Sequence, residues 1–411
     1  MNSSLPLFRS FFLGGFECST QQLADGTRLD MLAATQHDRF VAKDYRLLQK
    51  YGLYSVREGI RWHLIEQSPG EYQWSSVLPM LRAARETGTQ VIWDIWHYGW
   101  PDDLDIFSPK FIDRFARFAG AFSELVADEG MGIPYFSPIN EISFFSWAGG
   151  ESAVLNPFAR RRGQELKRQL VRATIAAIRA IRNVNPATRL FQVDPLINVI
   201  QRRARPEDSF AAELYRQSQF EVWDMISGRL EPELGGHPGY LDVIGVNYYI
   251  HNQWRYPGGH GSMIVPSDPR YRHLRDMLAE VHERYNRPIF VAETGIEDET
   301  RPAWLRYISN EVAAAIDEEV PVEGVCLYPI LNHPGWDDGR HCYNGLFDYA
   351  DESGRREVYL PLATELAYQQ HRVEAVRSGR EPFVDTWDPA TSALDWAAHV
   401  MENRTDEARK T

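Results

Sequence analysis

A chain of 411 residues, 44% hydrophobic and 25% charged, has the balance of a soluble globular enzyme and enough apolar mass to bury a sizeable core. Its formal net charge of −13 offers no general attraction to phosphate, which argues against nucleic acid or an anionic membrane as partner and for a neutral small molecule. Three cysteines, Cys18, Cys326 and Cys342, are too few for a disulfide framework and lack zinc spacing, so a reducing, cytoplasmic setting is expected, with no metal and no cofactor.

The first apolar segment, FFLGGF from Phe11, lacks the charged flank and cleavage site of a signal peptide and is read as a first strand. No run reaches the roughly 18 apolar residues of a membrane span. Strands are expected at 11–18, 53–58, 90–96, 134–138, 189–193, 241–247, 288–292 and 324–328, separated by amphipathic stretches. The clearest of these starts at Ser108-Pro109 and sets Phe111, Phe115, Phe118, Phe122 and Leu125 on one face as a core stripe. Eight such units match an α/β fold of one domain, a (β/α)8 TIM barrel over 1–378, better than a doubly wound sheet, and the strand-end motifs decide between the two. A last helix runs through about Arg377, and a tail over 379–411 follows, in which Trp387 and Trp396 are expected to pack on the barrel.

In such a barrel the working groups sit at the carboxyl ends of the strands. Here those ends are polar and aromatic: Glu17 and Gln21 after strand one, Arg57 at two, His97 and Trp100 after three. Strand four reads PYFSPINEIS and ends in Asn140-Glu141; six reads VIGVNYY and ends in Asn247-Tyr248-Tyr249; seven reads PIFVAETG and ends in Glu293. Glutamates ending strands four and seven face one another across the mouth, the arrangement that glycoside cleavage needs. One carboxyl protonates the departing oxygen while the other supports the charge growing on the sugar carbon. A gap of about 5 Å gives retention and roughly 6.5 to 9.5 Å gives inversion. Arg57 is expected to keep one carboxylate ionised, and Phe144, Phe145 and Trp147 to help the other hold its proton.

Together these segments resemble the clan A glycoside hydrolases and most closely family 1, the β-glucosidase family. SPINEI matches the family's TFNEP, VAETG its ITENG, REGIRW from Arg57 to Trp62 its RFSISW, and VIGVNYY its FIGxNYY. The resemblance runs from about Phe11 to Asp348, with the signatures in order. It implies a retaining, exo-acting β-glycosidase with Glu141 as acid/base and Glu293 as nucleophile. Asn140 would bond the sugar 2-hydroxyl, Tyr249 and Arg57 would position the nucleophile, and His97, matching the HWDLP histidine, would bind a further hydroxyl. Gln21 falls near the family's strand-one glutamine, and Glu17, Asn247 and Tyr328 are expected to line the same sugar site. The strand-eight motif matches YPILNHPGWDDGRHCYNGL, retaining Trp336 and Gly339, but Gly335 replaces the glutamate that grips the outer hydroxyls and Tyr328 replaces a tryptophan. Ile142 and Thr294 also depart from NEP and ENG.

Plainer readings compete at several positions. Arg57 could neutralise Glu58 or Glu17 in a structural ion pair, and His97 could simply bond within an aromatic cluster. Trp100, Trp147, Trp254 and Trp336 could wall a sugar or pack. Asp337 and Asp338 are taken to bind hydroxyls or cap a turn, in preference to a metal site in HPGWDDGRH. Arg160, Arg161 and Arg162 read as a solvated loop, or as a mouth for an anionic sugar. Hydrolysis of a small carbohydrate or glycoside leads; a transglycosylase, a barrel that binds carbohydrate without cleaving it, and a metal-dependent isomerase are the alternatives. A homo-oligomer is left open.

Overall fold

Eight short segments rich in Val, Ile and Phe pair side by side, all parallel, and close on themselves. This computed structural model describes residues 6–259, 261–386 and 394–395. In chain order the barrel strands are β1 (Phe12–Gly15), β2 (Ser55–Gly59), β3 (Gln90–Asp94), β4 (Tyr135–Ser137), β5 (Arg189–Pro195), β6 (Val243–Asn247), β7 (Ile289–Thr294) and β8 (Val322–Leu327). Each pairs with its chain neighbours, and β8 returns to β1. All eight expected strands are present. The main differences are at the ends: β1 stops at Gly15, and β7 runs on through Glu293.

The longer helices form the outer layer: α1 (His37–Gln49), α2 (Leu78–Thr87), α3 (Pro109–Asp128), α4 (Gly163–Val184), α5 (Ser209–Gln217), α6 (Glu221–Ser227), α7 (Leu274–Tyr285), α8 (Arg301–Asp317) and α9 (Leu360–Arg377). α3 has Pro at its start and buries Phe111, Phe115, Phe118 and Phe122, with Leu125 half-buried beside them. Its aromatic stripe continues into Trp62, which stacks on Phe118 at 5.2 Å.

Inside the barrel, alternate strand residues fill the axis. Leu13, Ile92, Phe191, Val193, Phe290 and Ala292 meet there. Phe8, just ahead of β1, packs on Phe191 and Phe290 at 5.9 and 5.3 Å and plugs the amino ends. At the other end the layer turns polar. Gly15 lets β1 pass Tyr328, whose ring carbon would lie 2.1 Å from a Cβ placed there.

Trp387 and Trp396 lie outside the described residues. Before that point Asp385 bonds Arg275 and Asn310 at 2.9 Å each, joining the segment after α9 to α7 and α8. No helix among the described residues is long and apolar enough to cross a membrane.

The same alternation sends Glu58 of β2 outward, away from Arg57. It accepts from His37 Nε2 at 2.6 Å and from Tyr45 at 2.9 Å, while His37 Nδ1 meets Asp44 at 2.7 Å. Arg356 grips Asp44 with two nitrogens at 2.7 and 2.9 Å, and Phe16 stacks on the His37 ring at 3.6 Å. Burial opposes a charge on His37, but Glu58 and Asp44 outweigh it and lift the imidazole to about 9. Because the folded value lies above the unfolded one, this stabilisation is full below about pH 6.5 and is lost as pH rises through about 9, on the order of 3 kcal/mol. Urea unfolding at pH 6 and pH 9.5 should show that loss in the native protein and a flatter dependence in His37→Gln; equal slopes would show the ring is neutral when folded.

Candidate active site

At the carboxyl ends of the strands one buried cation gathers the polar groups. Arg57, on β2 and fully buried, gives Nη1 to Glu293 Oε1 at 3.0 Å and to the Ala292 carbonyl at 2.7 Å. It gives Nη2 to Asp94 Oδ2 at 2.7 Å and to Asn140 Oδ1 at 3.2 Å. Four strands, β2, β3, β4 and β7, therefore contribute to one cluster. The structural pair with Glu58 or Glu17 does not form: Glu58 faces the helices, and Arg57's partners are Asp94 and Glu293.

Glu293 takes a second bond, from the Tyr249 hydroxyl to Oε2 at 2.9 Å. Tyr248 points the other way, where its hydroxyl meets Tyr271 at 2.8 Å and Gln253 Nε2 at 2.8 Å. Burial pushes Glu293 up to about 7, Arg57 opposes this, and the nearby Glu141 adds to the rise. Arg57 was expected to hold this carboxylate ionised, but Asp94 already answers much of its charge. Asp94 itself stays below the ordinary value: burial works against its ionisation and Arg57 overcomes it.

Glu141 follows β4 in the left-handed region, φ +50°, a conformation that costs a non-glycine residue roughly 1–2 kcal/mol. Tyr98, itself at φ +67°, donates to Glu141 Oε2, and Asn247 Nδ2 donates to Oε1 at 2.9 Å. Burial raises Glu141, with these two bonds opposing and Asp194 adding to the rise. Phe145 stacks on Tyr98 at 5.5 Å, whereas Trp147 is 43% exposed and rests on Phe144.

Asn140, His97 and Asn247 lie in the same cluster, Asn140 Nδ2 facing His97 Nε2 at 3.3 Å. Gln21 is fully buried, and among the described residues neither of its amide atoms has a partner, nor does the carbonyl oxygen of the Asn247 side chain. Polar atoms withdrawn from water without partners suit a polar ligand. Glu17 accepts from the Ser19 N–H at 3.0 Å and is close enough to raise Glu293. The Tyr328 ring lies parallel to His97 at 6.1 Å and under Arg57 at 5.3 Å. Trp336 presents its ring at 6.0 Å, edge-on to Tyr98.

Two expected residues lie apart from these contacts. Trp100 is buried in the wall against Trp96, with its N–H given to the Leu104 carbonyl at 2.8 Å, and Asp337 is exposed on a turn. Trp254 packs with Tyr215 at 5.8 Å. At Gly335 a Cβ would fall 2.2 Å from Asp338 Oδ1, so a glutamate there does not fit unless Asp338 moves. Of the three adjoining arginines, Arg162 pairs with Glu165 at 2.6 Å.

Sequence reasoning missed Asp94, Tyr98, Asp194 and Cys18. A carboxylate at the end of the apolar run QVIWD was a signal for Asp94; nothing marks a tyrosine for a left-handed turn. Cys18 Sγ lies 3.2 Å from His97 Nδ1, and burial pushes its thiol up to about 11. Cys18, Asp94 and His97 are a group among the described residues with donor atoms within 4.8 Å of one another. Arg57 on Asp94 places a fixed positive charge beside that trio, which opposes a cation there.

This fold is shared with known enzymes. A family 1 β-glucosidase from Thermotoga maritima superposes with a TM-score of 0.70 at 17% identity, over 91% of this chain and 99% of that one. A β-glucosidase from the same organism in complex with glucoimidazole gives 0.70 at 18% identity, over 90% and 99%. A hyperthermophilic β-glucosidase mutant that forms a dodecamer in its crystal gives 0.69 at 16%, over 88% and 100%. No family model matches the chain, and no curated protein matches its sequence.

Removing the central cation should be costly. Arg57→Met removes the cation shared by two buried carboxylates, leaving Asp94 with His97 at 3.5 Å and Glu293 with the Tyr249 hydroxyl, and a loss of about 3–5 kcal/mol in unfolding free energy is expected. A loss below about 1 kcal/mol, the range of an exposed pair, would mean that the cluster is solvated and that Arg57 is not its organiser.

Proposed function

We propose that the chain is a retaining, exo-acting β-glycosidase of β-glucosidase-like type, hydrolysing a β-linked glycoside by double displacement. The observation that carries this reading is the pairing of two differently held glutamates at one barrel mouth. Glu293 is aimed by a cation and a phenol, Arg57 and Tyr249. Glu141 is held by the neutral donors Tyr98 and Asn247. The likeness to β-glucosidases supports the scaffold, and the strand-end residues supply the chemistry.

In the first step a Glu293 carboxylate oxygen bonds to the anomeric carbon as the bond to the leaving oxygen breaks, and the Glu141 proton passes to that oxygen. In the second, Glu141, now ionised, takes a proton from water as the hydroxyl attacks the same carbon and Glu293 departs. Asn140 bonds the 2-hydroxyl, and Gln21, His97 and Glu17 offer partners to the remaining hydroxyls. Trp336 and Tyr328 offer aromatic surface to the ring.

Glu293→Gly should abolish turnover of aryl β-glycosides, and added azide should restore part of it as the glycosyl azide of opposite anomeric configuration. Wild-type rates in that variant would end the nucleophile assignment. Glu141→Ala should slow glycosides with poor leaving groups by roughly 10²–10⁴-fold while sparing activated aryl glycosides far more. Equal losses on both would remove the acid role.

A further inference from the structure

Tyr98 lies in the turn that leaves β3, and neither step above gives it a part. Its backbone is left-handed, φ +67°, a region that bulky side chains enter rarely and at a cost, and that recurs at functional sites. The turn is clamped on both sides of the tyrosine by the segment after β1. The Thr20 N–H donates to the His97 carbonyl at 3.2 Å, and a Cβ at Gly99 would fall 1.8 Å from Thr20 Oγ1, so no side chain fits there. Phe145 stacks on the Tyr98 ring at 5.5 Å, and Trp96 meets it edge-on at 5.9 Å. The strained backbone and the packed ring together fix the place of one phenolic oxygen.

The hydrogen bonds around that oxygen have a forced direction. Asn140 Oδ1 faces Arg57 Nη2 at 3.2 Å, and a guanidinium only donates, so the amide cannot be turned around. Its Nδ2 therefore faces His97 Nε2 at 3.3 Å and the Tyr98 oxygen at 3.5 Å. The phenol accepts this long bond and gives its single hydrogen to Glu141 Oε2, while Asn247 Nδ2 supplies Oε1 at 2.9 Å. A chain of donors thus runs from Arg57 through Asn140 and Tyr98 to Glu141, and bonds aligned in this way strengthen one another. The other terminal nitrogen of the same guanidinium holds Glu293, so one cation lies behind both glutamates.

We propose that Tyr98 is a positioning residue for the proton donor: its hydroxyl fixes Glu141 Oε2 while the proton leaves for the departing oxygen, and steadies the carboxylate that then takes a proton from water. This rests on the reading of Glu141 as acid/base. Tyr98 keeps its own hydrogen throughout; the proton that moves is the one on Glu141. A donor to a carboxylate oxygen favours the ionised form, which is the form each turnover must pass through.

Tyr98→Phe keeps the ring and its stacking and drops only the hydroxyl. On a β-glycoside with a poor leaving group, kcat/KM should fall roughly ten- to a hundredfold, the range of a lost bond to a charged group. On an activated aryl glycoside, whose departure needs no proton, it should fall far less. A packing role alone would cost both substrates alike. The decisive measurement adds Tyr98→Phe to Glu141→Ala on the poor substrate: with the carboxyl gone, the second change should alter kcat/KM by less than about twofold. Equal fold-losses in the two backgrounds overturn the proposal. Tyr98→Asn also lacks the phenol and suits a left-handed backbone; it must give the same leaving-group contrast should Tyr98→Phe not fold. If Glu141→Ala shows a leaving-group effect and the Tyr98 variant shows none, only the role of Tyr98 fails; if Glu141→Ala shows none, the acid assignment fails and the role of Tyr98 with it.

Discussion

The site depends on a guanidinium buried at the end of a strand. Arg57 is fully buried, and its two terminal nitrogens find their partners inside the fold, in Asp94, Glu293, Asn140 and the Ala292 carbonyl. In a medium of low polarity such a cation cannot lose a partner cheaply. That stringency is useful to a reactive site, because side chains locked by mutual need cannot drift by the fraction of an ångström that catalysis would notice. Burial raises Glu293, and Arg57 opposes that rise only in part. One cation serves two carboxylates, and the more deeply held one, Asp94, takes the greater share.

Strand β2 carries two buried charge networks back to back. Arg57 faces the barrel axis, and Glu58, one residue on, faces the helices, where it meets His37, Tyr45 and, through His37 and Asp44, Arg356. The pleat keeps the two apart. The inner network shapes the site, and the outer one binds β2 to α1 and to the segment that precedes α9. A barrel strand only five residues long is thereby anchored on both faces, which limits how far Arg57 can move.

Most of this was legible in the sequence. Alternating apolar strands and amphipathic helices gave the barrel, and the geometry of a barrel then singled out strand-end residues, so that Glu141, Glu293, Asn140, Asn247 and Arg57 could be named together before any contact was visible. What escaped notice depended on backbone geometry or on contacts across the fold. Tyr98 reaches Glu141 only because its own backbone is left-handed. Asp194 accepts from the amide of a residue 51 positions away. Trp100 was judged by its neighbours in sequence, but the Leu104 carbonyl takes its N–H and draws it into the wall. Periodicity encodes which face a residue occupies; it does not encode which carbonyl happens to be in reach.

A TM-score of 0.70 at 18% identity means that the two chains share the barrel although most of their side chains differ. Closed parallel strands satisfy their own backbone bonds, and interior layers tolerate many apolar combinations of the right volume. The loops carry no such guarantee. After β8 the chain makes a tight turn in which Asp338 Oδ1 accepts the Arg340 N–H at 3.1 Å, while Arg340 clasps Glu297 beyond β7 at 2.6 and 2.7 Å. This clasp ties the turn to the segment after β7, and the space next to Gly335 is filled by Asp338. Position 335 therefore presents no carboxylate, whereas on the β1 side Glu17 and Gln21 are both buried, Gln21 with no partner for its side-chain amide among the described residues.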